Sequence, residues 1–189
     1  MNLPNVLTLI RVALIPVLVL VWLTPFQYAG ELAAFVFVIA ALTDWLDGWL
    51  ARRLSQESAF GAFLDPVADK LMVAAALVLL VDAFDSVLVT LSAIVIIGRE
   101  IVVSALREWM SEIGQRGHVA VSWLGKVKTA TQMLAITVCL ALPIEQTLTH
   151  PGLWILVVAA LLTLWSMGSY LKAAWPHLLP VTKKDPAVD

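Results

Sequence analysis

Residues 31–53 read ELAAFVFVIAALTDWLDGWLARR. An unbroken apolar run, Leu32–Leu42, leads without any turn signal into Asp44, Asp47, Arg52 and Arg53. A bilayer core is crossed by about 20 helical residues, so this stretch is long enough to span one. On a helix, Asp47, Gly48 and Ala51 fall about −60°, +40° and −20° from Asp44. Two carboxylates and two small residues therefore share one stripe, and Trp45, Leu46, Trp49 and Leu50 point elsewhere. The stretch predicts a membrane helix that is apolar through one half and acidic along one face of the other.

The rest of the chain repeats that design. Of its 189 residues 61% are hydrophobic and 14% charged, against roughly half and a quarter in a soluble domain. One small aqueous core cannot hide so much apolar side chain. The formal net charge of −2 provides no basic field for nucleic acid. Cys139, the single cysteine, sits in an apolar run and reads as packing. Six segments are expected to span: Val6–Leu23, Glu31–Arg53, Ala62–Val81, Ser86–Leu106, Val121–Leu142 and Gly152–Ala173. Turn signals at Pro25 and Gly30, Gly61, Asp82 and Asp85, Gly114 and Gly117, Pro143, and Pro151–Gly152 separate them. The expectation is an all-α integral membrane domain over residues 1–176, followed by a polar tail, 177–189. The first segment lacks a preceding basic residue and a small-x-small cleavage site, so it reads as a retained helix and not a signal peptide.

The twelve Lys and Arg residues set the orientation. None lies in the connections near 24–31, 82–86 and 143–152, and all lie at or near the opposite helix ends. Cytoplasmic flanks collect positive charge, which puts both termini and the acidic stripe on the cytosolic side. The other half of every segment is free of charge. An ion or proton pathway needs polar groups through both leaflets, and these clean halves argue against a transporter.

The third segment carries the partner stripe, GAFLDPVADK over 61–70. Gly61, Asp65 and Asp69 follow one another at i, i+4 and i+8 on one face. Pro66 is expected in the first turns, where a missing N–H does least harm. A short loop, Arg53–Phe60, predicts that segments two and three are antiparallel neighbours with opposed acidic faces. Four carboxylates in a partly dehydrated cleft repel one another, and a hard divalent cation, Mg²⁺ or Mn²⁺, would relieve the repulsion.

The spacing Asp44-x2-Asp47-Gly48-x2-Ala51-Arg52-x8-Gly61-x3-Asp65-x3-Asp69 resembles the signature of the CDP-alcohol phosphatidyltransferase family, with no departure at its eight positions. Arg99-Glu100, ALREW over 105–109 and GKVKT over 125–129 look like the members that act on glycerol 3-phosphate. The resemblance implies six helices in a bacterial inner membrane, commonly as a homodimer, with the active site facing the cytosol. It implies CDP-diacylglycerol as donor, sn-glycerol 3-phosphate as acceptor and two metal ions held by Asp44, Asp47, Asp65 and Asp69. Asp69 would also take the acceptor's proton. Gly48, Ala51, Arg52 and Gly61 would surround the donor's nucleotide and phosphates. Asn5, Thr8 and Arg11, three residues apart, have two readings: donor head-group contacts, or a helix start with a snorkelling end. A phosphomonoester acceptor calls for cations. Arg107, Lys126 and Lys128 are expected to supply them, with Arg99 behind, paired to Glu100 or Glu108. A scaffold that only binds cations fits the full pattern poorly. Other acceptors, such as an inositol phosphate, serine or phosphatidylglycerol, are compatible with the same signature. His118, His150 and His177 have no partner at ligand spacing and read as loop or interface residues.

Overall fold

A computed structural model of the chain describes residues 3–54, 59–115, 123–144 and 147–178. Among them the architecture is all helical: α1 Leu3–Trp22, α2 Ala29–Leu54, α3 Ala59–Phe84, α4 Val87–Glu112, α5 Trp123–Ala141 and α6 Pro151–Leu178, with a short 3-10 turn at Thr147–Thr149. Three of these, α1, α4 and α6, are long and apolar enough to cross a membrane by length and composition. Every helix carries ionisable side chains within its length, among them Arg11 in α1, Asp44 in α2, Asp65 and Asp69 in α3, Arg99 in α4, Lys126 and Lys128 in α5 and Lys172 in α6.

Packing divides the bundle into two groups. The helix α1 packs along both α2 and α3, whereas α6 packs along both α4 and α5. Contacts of α2 with α5 and of α3 with α4 join the groups. Among the described residues α2 and α3 also meet directly, and α1 packs along both. The buried core draws on every helix, with Leu18, Phe37, Leu77, Ile96, Ile136 and Leu156 among its members. Alanines recur where helices meet, including Ala33, Ala40, Ala76, Ala93, Ala135 and Ala160. Lipid tails are as apolar as leucine, so close van der Waals approach between small residues holds such helices together.

The helix ends correct several local expectations. Gly61 does not break the chain, because α3 begins at Ala59 and runs through it. Pro66 is consequently well inside α3 and not in its first turns, so the ring removes a helical donor between Asp65 and Asp69. Gly30 and Asp82 likewise lie inside helices, α2 and α3, whereas Gly114 and Asp85 do turn the chain. Gly114 has φ +75°, and the Gln115 N–H reaches back to the Met110 carbonyl at 2.8 Å, closing α4 with a left-handed residue. Asp85, at φ 42°, makes the turn from α3 into α4. Pro151 and Gly152 open α6, which continues through Pro176. Gly117 and His118 lie outside the described residues.

The end of the bundle remote from the acids is pinned by His150 and two glycines. His150 Nδ1 accepts from the Gly152 N–H at 3.1 Å, and its Nε2 lies 3.3 Å from the Leu142 carbonyl oxygen. The ring stands edge-on to Phe84 with centroids 5.0 Å apart. His150 thus joins the ends of α3 and α5 to the start of α6, a structural role. Cys139 is fully buried beside Gly152, where an added Cβ would meet its Sγ at 2.6 Å. A Cβ on Gly30 would lie 2.6 Å from the Leu140 carbonyl oxygen. Backbone cannot rotate aside, so Gly30→Ala is expected to cost about 1–3 kcal/mol. A lowered thermal midpoint of the detergent-solubilised protein, relative to wild type, checks this.

Candidate active site

A helix that carries acids within an apolar bundle must find them partners, because a bare charge at membrane depth costs several kcal/mol. Here α1 supplies those partners. Arg11 is 1% exposed, and its Nη1 lies 2.7 Å from Asp44 Oδ1. One turn earlier, Thr8 Oγ1 donates to Asp65 Oδ1 at 2.5 Å. The i, i+3 spacing sets both side chains on one face of α1, and that face meets α2 through Asp44 and α3 through Asp65. Arg11 therefore points into the bundle and does not snorkel outward. Asn5, a turn further out, is half-buried.

Asp69 stands beside this cluster and feels the charges of Asp44, Arg11, Glu100 and Lys128. It also lines a cavity of about 190 Å³ whose wall includes Arg99, Glu100, Arg107, Lys128 and Gln132. That volume is below the roughly 300–1,000 Å³ of drug-sized sites, so it suits a small polar molecule and not a diacyl lipid. Gly61 is buried in the same helix. The side chains of Asp47, Ala51 and Arg52 lie outside the described residues, as do those of Trp45 and Trp49 and the surroundings of Gly48.

The far wall is a cross-linked polar network. Glu100 Oε1 accepts from Lys128 Nζ, which joins α4 to α5, and lies 3.3 Å from Arg99 Nη1. Arg99 Nη2 donates to Ser166 Oγ at 3.0 Å, and the guanidinium lies 5.5 Å from the centroid of the Tyr170 ring. Both contacts tie α4 to α6. Arg99 and Lys128 are buried, and Arg107 is exposed at the cavity edge. Of the four expected phosphate cations, Arg99, Arg107 and Lys128 line the cavity, whereas Lys126 is exposed and does not. Helix geometry is the reason: residues two apart do not share a face. Glu100, not Glu108, is the acid paired with Arg99. Sequence reasoning overlooked Gln132 and Tyr170, although a glutamine within an apolar helix and a tyrosine near a helix end were both visible signals.

The acids suit a hard divalent cation in kind, since they offer carboxylate oxygens and neither thiolate nor imidazole. Among the described residues no three acidic, histidine or cysteine side chains converge as a metal cage.

The family model described as CDP-alcohol phosphatidyltransferase matches residues 1–178. A curated protein of Pectobacterium atrosepticum named CDP-diacylglycerol–glycerol-3-phosphate 3-phosphatidyltransferase is 56% identical over 178 residues, 94% of this chain and 97% of its own. Proteins of the same name from Pseudomonas fluorescens and Yersinia pestis are 54% identical over 188 residues and 53% over 179. They cover 98% and 95% of this chain, and 96% and 98% of their own lengths.

The α1 clamp yields a clear expectation. Thr8→Val keeps the shape but removes the donor to Asp65, and a hydrogen bond to a charged group contributes about 1.5–3 kcal/mol before solvent screening. Thermal unfolding in detergent should show Thr8→Val less stable than wild type and Thr8→Ser close to it.

Proposed function

The chain belongs to the CDP-alcohol phosphatidyltransferase family, and from that premise we propose that it transfers the phosphatidyl group of CDP-diacylglycerol to sn-glycerol 3-phosphate. The products are phosphatidylglycerophosphate and CMP. The names of relatives more than half identical over nearly the whole chain support the reaction. The observation that carries the acceptor is the small cavity that sets Asp69 against Arg99, Arg107 and Lys128. Inositol and serine carry no phosphate to occupy three cations, whereas glycerol 3-phosphate does.

In this reaction the acceptor phosphate binds to Arg107 and Lys128, and Arg99 stands behind them. Binding there holds the acceptor's primary hydroxyl toward Asp69, which removes its proton as the oxygen attacks the β-phosphorus of the donor. The new P–O bond forms as the bond to the bridging pyrophosphate oxygen breaks, and CMP leaves. A held geometry of this kind converts a two-molecule encounter into a local event, the largest service a site offers to phosphoryl transfer. Asp44, Asp47, Asp65 and Asp69 would hold a divalent cation, Mg²⁺ or Mn²⁺ and by family resemblance two ions. Such an ion, when bound, neutralises charge on the pyrophosphate and the departing nucleotide. Arg11 and Thr8 keep Asp44 and Asp65 oriented. For the donor's head group we assign the same end of α1–α3: Asn5, Thr8, Arg11, Gly48, Ala51, Arg52 and Gly61.

The membrane arrangement is part of the proposal. All six helices cross the bilayer of a bacterial inner membrane, with both termini and the cavity facing the cytosol. Support comes from the one-sided placement of Lys and Arg and from the membrane-length helices α1, α4 and α6. The catalytic domain covers residues 1–176, and the assembly is a homodimer, as the family resemblance implies.

Release of CMP from CDP-diacylglycerol by solubilised protein, with Mg²⁺ and one acceptor at a time, tests the reaction. Glycerol 3-phosphate should support turnover where inositol and serine do not. Asp69→Asn should lower kcat by about 10²–10⁴-fold, the usual worth of a positioned base, without loss of membrane insertion. Near-normal turnover in that variant removes Asp69 from the role. In the same assay Lys128→Met should raise the KM for glycerol 3-phosphate about tenfold or more, as expected for one lost charge-assisted bond. Lys126→Met should leave that KM within about twofold, the ordinary range for an exposed site.

A further inference from the structure

One group in the cavity wall has no part in the chemistry above. Gln132 sits one helical turn beyond Lys128 on the same face of α5. Its side chain is 3% exposed and lines the cavity. The amide oxygen, Oε1, is buried with no hydrogen-bond partner among the described residues. Buried polar atoms are nearly always satisfied, so one left open on the wall of a cavity marks a ligand contact.

The type of atom narrows the ligand. An amide oxygen accepts hydrogen bonds and cannot donate them, and an ionised phosphate has no hydrogen to offer. The phosphate therefore belongs to Arg107 and Lys128, and Oε1 needs an O–H or N–H. Glu100, a charged acceptor nearby, holds Arg99 and Lys128 through Oε1. Asp69 receives the hydroxyl that attacks. What remains for Gln132 is a second hydroxyl on the acceptor, adjacent to the first.

We propose that Gln132 is a specificity-determining residue: it accepts a hydrogen bond from the non-attacking hydroxyl and so selects a phosphorylated vicinal diol over a phosphorylated simple alcohol. This rests on the acceptor reading given above. A site built to bond a hydroxyl rejects the analogue without it, because the buried acceptor is then left unpaired.

The experiment compares glycerol 3-phosphate with 3-hydroxypropyl phosphate, which keeps the phosphate and the attacking hydroxyl but lacks the second one. CMP release is followed with full-length, detergent-solubilised wild type and Gln132→Leu. Wild type should favour glycerol 3-phosphate by about 10–100-fold in kcat/KM, the range for one hydrogen bond to a buried partner. In Gln132→Leu the kcat/KM for glycerol 3-phosphate should fall by about that factor. The value for the analogue should stay within about threefold, so that the preference collapses. Gln132→Met, unbranched like glutamine, makes the same comparison if the leucine variant does not fold. A parallel fall for both acceptors would mean that Gln132 supports the phosphate or the fold, and it overturns the assignment, as does an unchanged preference. Wild type that ignores glycerol 3-phosphate and turns over another acceptor would instead remove the acceptor reading on which the assignment stands.

Discussion

The pairing of α1 with the acidic helices governs the arrangement of everything else. Carboxylates at the end of an apolar bundle repel one another and resist loss of water, and either tendency would splay α2 from α3. Arg11 and Thr8 counter both by reaching one acid on each helix. Arg11 is buried, but Asp44 remains 44% exposed. The pair thus keeps part of its hydration and avoids the full desolvation penalty of a buried ion pair. That half-wet state also leaves Asp44 with lone pairs to spend on a cation. A clamp that saturated the carboxylates would hold the helices as well and leave nothing for chemistry.

The second polar layer obeys the same logic with the signs reversed. Two buried cations, Arg99 and Lys128, share Glu100, and Ser166 and Tyr170 brace Arg99 from α6. Shared partners hold the cations in place before any ligand arrives, so the phosphate of the proposed acceptor would meet donors already aimed. The cost of ordering long flexible side chains then falls on folding and not on binding. Glu100 also prevents the two cations from driving each other apart while the cavity is open.

Much of this was legible in residue order, and the boundaries of that legibility are physical. Hydrophobic run length identified the helices, and the period of Asp65 and Asp69 set two acids along one helix, because both are local properties. The role of α1 was not local. Nothing in the order of residues says that Arg11 lies against Asp44 or that α1 packs along both acidic helices. The extent of α3 was misjudged because Gly61 was weighed as a breaker, although a glycine is tolerated wherever the surrounding helix is already paid for by packing. Lys126 was grouped with Lys128 by proximity in sequence, when helical geometry sends the two in different directions. Gln132 was passed over because a lone amide in an apolar run has no motif around it; its meaning depends on the hollow beside it.

The two packing groups have a consequence for how such proteins diversify. The acids, the residues that hold them and the expected nucleotide contacts sit on α1–α3, whereas the cations and Gln132 sit on α4–α6. In the proposed reaction, recognition of the small alcohol is thereby separable from the machinery that activates the lipid. Descent could recast the hydrophilic half-pocket of the later helices, a few side chains at a time, and admit a different head group while the ancestral reaction centre stayed intact.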